Sequence, residues 1–153
     1  MKRDGVALVP TLIAAHQIAV QGGAAGTPEF MVRKSQAVMS AHLASFQMAV
    51  RAGVLIAAGT DAGTPLNPHG SMVPELELMV KHGMTPLDAI RSATAVAAAV
   101  LGLGSEVGQV APGFAADLIA VSGNPAERIG ALAEVRLVLA NGKIVVNRQG
   151  GDL

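Results

Sequence analysis

An α/β fold is predicted for this chain, and three features predict it. Two apolar runs, residues 6–12 and 54–58, are bounded by turn residues, as strands buried on both faces are. Between them lies a segment of helical spacing, and neighbouring parallel strands need such a crossover. The tail carries short β-type runs around Asn141-Gly142, the strongest short hairpin signal.

The elements follow in order. Residues 6–12 read as a strand stopped by Pro10, because proline cannot donate to a ladder. Residues 13–20 form a short helical or irregular segment, and residues 21–26 a Gly/Ala loop. Thr27-Pro28-Glu29 starts a helix: a hydroxyl cap, proline at the first position, an acid in the first turn. That helix should reach about Ala52 and stop at Gly53. Met39, Leu43, Phe46 and Val50 would form its buried stripe.

After the strand at 54–58 comes a loop over 59–70, then a helix from Met72 to His82 with Val73, Leu76 and Val80 inward. Glu75, Glu77 and Lys81 are expected on its solvated face. Gly83 ends it. Thr85-Pro86-Leu87-Asp88 opens another helix with an acid three residues after the cap. Leu87, Ile90, Thr94, Ala97 and Leu101 carry that helix through an Ala-rich stretch to Gly102. In the tail, 117–121 is a strand, and 135–139 and 143–146 flank a type I′ turn.

Composition narrows the function. The 153 residues suit one domain but fall short of a complete (β/α)8 barrel, which takes about 250. Eleven basic and eleven acidic residues cancel, so nucleic-acid binding has no electrostatic footing. There is no Cys, hence no disulfide and no thiolate metal site. No apolar run reaches the roughly 18 residues of a membrane helix. Asp4 and Pro10 argue against a signal peptide, and a cytoplasmic protein is expected. Charged residues at 14% against 51% hydrophobic ones point to buried contacts with another polypeptide, such as a second copy. Gly102-Leu103-Gly104-Ser105-Glu106-Val107-Gly108 is not a dinucleotide loop: its spacing is wrong and it follows a helix rather than a strand.

The chemistry-bearing stretch is Gly59-Thr60-Asp61-Ala62-Gly63-Thr64-Pro65 with Leu66-Asn67-Pro68-His69-Gly70 behind it. A carboxylate just past the end of a buried strand sits where α/β proteins gather their loops. The structural alternative is an Asx-type turn in which Asp61 bonds its own backbone.

Residues 59–65 and Pro68-His69-Gly70 resemble the last barrel strand and loop of the amidohydrolase superfamily, in its imidazolonepropionase-like and Xaa-Pro-dipeptidase-like branch. Gly108-Gln109-Val110-Ala111-Pro112-Gly113-Phe114-Ala115-Ala116-Asp117-Leu118-Ile119 resembles the segment by which that family leaves the barrel for a small β domain. The resemblance implies the C-terminal part of a (β/α)8 metal-dependent hydrolase barrel, about two βα units over residues 1–104. Residues 105–153 would add a small β appendage with a hairpin. It further implies hydrolysis of C–N bonds in a small amide, dipeptide or cyclic amide. A divalent metal, zinc above all, would serve the complete enzyme. Asp61 would be metal ligand and proton shuttle. His69, Gly63 and Thr64 would bind substrate.

The chain departs from the family pattern in lacking any His-x-His, and His16, His42, His69 and His82 are widely separated. A catalytic divalent ion needs about three protein ligands. His42 and His82 are expected on a helix surface or end. Two readings stay open: an amidohydrolase piece completed by a missing N-terminal barrel portion, or a non-catalytic, metal-free oligomeric module descended from one. A third builds a new site across subunits from Asp61, His69 and His16.

Overall fold

The computed structural model describes residues 1–70 and 72–148. A 3₁₀ turn at Lys2–Asp4 precedes helices α1 (Leu12–Gln21), α2 (Glu29–Ala52), α3 (Val73–Lys81), α4 (Pro86–Ala93) and α5 (Ala95–Val100). The tail holds strands β1 (Leu118–Val121), β2 (Val135–Ala140) and β3 (Lys143–Asn147), with a 3₁₀ turn at Ile129–Ala133.

The two expected parallel strands do not form as regular strands; only one residue of each pairs with the other. They meet in one parallel bridge, Leu8 with Ile56. Leu8 N–H donates to the Leu55 carbonyl at 2.8 Å, and Ala57 N–H to the Leu8 carbonyl at 3.0 Å. A pair with no further parallel neighbour among the described residues has no ladder to extend it. Leu12, expected at the strand end, instead opens α1. Gly59 shows how tightly the segments pass: a Cβ there would lie 2.6 Å from Val9 Cγ1.

Helix α2 ends at Gly53 in the left-handed region, as predicted, and Phe46 is its one fully buried residue, with Leu43 and Val50 against the core. Its start differs. Pro28 occupies the cap position and no side chain bonds there, so the Thr27 hydroxyl cap does not form. The core joins Leu12, Ile13, Phe46, Ile56, Leu76, Leu78, Met79, Ala89 and Ile129. Burying one such side chain stabilises by about 1.5–3 kcal/mol.

Helix α4 starts as predicted, with Thr85 Oγ1 accepting from Asp88 N–H at 3.1 Å. The single helix expected through Leu101 breaks at Thr94 (φ −125°, ψ −98°), whose hydroxyl donates back to the Ile90 carbonyl at 2.8 Å. Such back-bonding bends helices. Gly108 sits against that break: a Cβ there would meet Ala98 Cβ and the Thr94 carbonyl at 2.9 Å. Packing explains this glycine without a nucleotide.

The tail is an antiparallel sheet in the order β1-β2-β3. Asn141 (φ 49°) and Gly142 (φ 73°) both lie at positive φ, the signature of the predicted type I′ turn. The 3₁₀ turn at Ile129–Ala133, which the sequence reading lacked, packs on α3 and joins this sheet to the helical body.

Candidate active site at the Asp61 loop

Asp61 lies five residues beyond Ile56, past the carboxyl end of the bridged segment, and is exposed. Its backbone is left-handed, at φ 52°. Asn67, only 2% exposed, organises the loop. Its Nδ2 donates to the Thr60 carbonyl, to the Asp61 carbonyl at 3.1 Å and to Thr64 Oγ1 at 3.2 Å. Thr64 Oγ1 in turn donates to the Asp61 carbonyl at 3.1 Å. Gly63 N–H and the Asn67 carbonyl close the loop at 2.9 Å. These bonds engage the Asp61 carbonyl, and among the described residues none engages its carboxylate. The turn is thus built by Asn67 and Thr64 rather than by an Asx contact from Asp61.

The loop gathers three of the residues singled out with Asp61. Gly63 and Thr64 belong to its hydrogen-bonded ring, and a Cβ on Gly63 would lie 3.5 Å from His69 Nε2. His16 stands elsewhere. It lines a cleft of about 260 Å³ between α1 and α3 with Gln17, Gln21, Glu77 and Lys81, a lining that includes neither Asp61 nor His69. Burial lowers the His16 pKa, with Lys81 adding to the effect; His82 is lowered by burial, then by Lys81 and His16. A larger cavity of about 440 Å³ lies at the other end of the bridged segments, among Gly5, Val6, Val54, Leu55, Thr85 and Asp88. Its lining reaches Ile56 and includes no residue of the Asp61 loop.

Two polar contacts fix the other exit, after Leu8. Thr11 is left-handed (φ 46°) and gives α1 no side-chain cap. The orphan amides of that first turn are met by Glu75 of α3: its carboxylate accepts from Leu12 N–H at 2.9 Å and Ile13 N–H at 2.7 Å. This corrects the solvated face expected for Glu75, which is 0% exposed; Glu77 and Lys81 are exposed as expected. Burial raises the Glu75 pKa, against the opposing pull of the two amides and of His42. His42, expected on a helix surface, is half-buried and its Nε2 lies 2.8 Å from the Pro10 carbonyl. The sequence signal for Glu75 was its setting: Leu76, Leu78 and Met79 make α3 apolar on more than one side, so an acid among them faces protein.

The fold and this loop define the class. A sequence profile of the amidohydrolase family matches residues 1–145, and the chain belongs to that family. Ochratoxinase from Aspergillus niger is 37% identical over 140 residues, covering 90% of this chain and 28% of that protein. The crystal structure of a Xaa-Pro dipeptidase with bound methionine in its active site superposes at a TM-score of 0.86 with 36% identity, over 95% of this chain and 36% of that one. A putative prolidase from Bifidobacterium longum superposes at 0.85 with 32% identity, over 96% of this chain and 37% of that one. The chain therefore spans about a third of the length of these relatives.

Proposed function

We propose that this chain is the C-terminal part of a metal-dependent amidohydrolase that cleaves C–N bonds in a small amide, peptide or cyclic amide. Residues 1–104 would supply about two βα units of its (β/α)8 barrel, with the Leu8 and Ile56 segments as neighbouring barrel strands, and residues 105–153 the β appendage. The observation that carries this reading is Asp61: an exposed acidic residue just past the carboxyl end of a parallel bridge, inside a chain of this family. The similarity to a Xaa-Pro dipeptidase supports a small peptide or amide as substrate.

The residues present fit one corner of a metal site. Asp61 offers a carboxylate, but among the described residues no group of three or more His, Cys, Asp or Glu could hold an ion. The other ligands would come from the barrel portion outside this chain. A divalent metal bound there would acidify water and polarise a carbonyl. This chain's own contribution is proton transfer: the Asp61 carboxylate takes a proton from the attacking water and returns it to the leaving nitrogen. Gly63, Thr64 and His69 would border the substrate.

Exposed Val6, Val9 and Leu55 beside the bridged pair call for cover by another polypeptide, a barrel half or a second copy. Metal analysis of the purified assembly separates the readings. Bound zinc with hydrolysis that Asp61→Asn abolishes supports the hydrolase. A metal-free, inactive oligomer supports a non-catalytic assembly module.

A further inference from the structure

We propose that Asn67 is a positioning residue that holds Asp61 in its left-handed conformation, and so aims the carboxylate; this rests on the assignment of Asp61 above. An L-residue at φ 52° sits in a small, sparsely used region of backbone space. Something must hold it there, and the hydrogen bonds show what. One buried amide nitrogen reaches the carbonyls on both sides of the Asp61 Cα: that of Thr60, which precedes it, and that of Asp61 itself at 3.1 Å. Pinning both peptide planes fixes φ and ψ of the residue between them. The third contact, to Thr64 Oγ1, recruits a hydroxyl that also bonds the Asp61 carbonyl.

The orientation of the amide follows from its partners. Three oxygens face this end of Asn67, so the nitrogen must be the atom pointing at them. The opposite atom, Oδ1, is buried and meets no donor among the described residues. The side chain thus presents its donor end to the Asp61 turn and nothing balances it from behind. Among the described residues no bond uses the Asp61 carboxylate, because a neighbour does the holding.

The test uses Asn67→Asp, which keeps the shape and removes the donor. In crystals of this chain carrying that change, residue 61 should leave the left-handed region; retention of φ near its present value overturns the inference. If N67D does not fold, Asn67→Ala, which removes the donor without adding a buried charge, is read by the same criterion. In the assembled metal-loaded hydrolase, N67D should lower kcat 10- to 100-fold with KM within about threefold, while D61N abolishes turnover. An N67D enzyme within twofold of wild type beside a dead D61N overturns the positioning role and spares the Asp61 assignment. An active D61N overturns the Asp61 assignment, and the crystallographic result then decides on Asn67 alone.

Discussion

The Glu75 carboxylate, 0% exposed, accepts the Ile13 N–H at 2.7 Å from a helix 62 residues earlier in the chain. With the Leu12 amide on its other oxygen, it caps α1 from outside that helix. A local cap is absent because Thr11 turns left-handed and its hydroxyl bonds no first-turn amide.

Glu75→Ala therefore leaves two buried donors unmet and opens space in the core. Each orphan donor costs about 1–3 kcal/mol, so a loss of roughly 2–6 kcal/mol is expected in urea unfolding of the assembled protein. A variant within 0.5 kcal/mol of wild type, by the ordinary scatter of surface changes, would show that the amides find other partners.

Glu75 also predicts a pH dependence. Its folded pKa is raised, chiefly by burial, so the unfolded chain loses this proton first. The folded state then holds more protons, and stability falls as pH rises. The contribution is full below the ordinary glutamate pKa and is lost as pH rises through the raised folded value. Glu75→Gln cannot titrate and should flatten this part of the profile. Denaturant midpoints from pH 4 to 8 check it, and equal slopes for both proteins would count against it.

Gly59 and Val9 predict a coupled pair. A methyl group at Gly59 would fall 2.6 Å from Val9 Cγ1. Gly59→Ala should destabilise by about 1–3 kcal/mol through overpacking. Val9→Ala should recover part of that loss, so a double-mutant cycle in thermal unfolding should depart clearly from additivity.

Asp61→Asn should separate activity from stability. The loop's bonds reach the Asp61 carbonyl and not its carboxylate, so unfolding of the metal-free protein should shift by under about 0.5 kcal/mol. Hydrolysis by the assembled enzyme should be lost, since the acid–base role alone is worth about 10²–10⁴-fold and the carboxylate would also hold the metal. Rates on a dipeptide with each protein measure it.

Local signals made much of this legible. Gly53, Thr85 and Asn141-Gly142 act through their immediate neighbours, and the C-terminal end of α2, the start of α4 and the hairpin appeared where the sequence put them. Glu75 escaped because its partners are 62 and 63 residues away, and helical spacing says only which face it shares, not what meets that face. The break at Thr94 escaped because a threonine bonding four residues back looks like any other threonine in a helix. At the candidate site, the sequence marked Asp61 and His69 by residue type. It gave no sign that Asn67, read as part of the same loop, would be buried and grip the Thr60 and Asp61 carbonyls.

Because one carboxylate on α3 closes the start of α1, the amide protons of Leu12 and Ile13 become clocks. In most helices the first turn trades its hydrogens with water almost at once. Here those two should keep theirs until α3 lets go, so the slowest exchange near the beginning of the chain reports on an event 62 and 63 residues downstream.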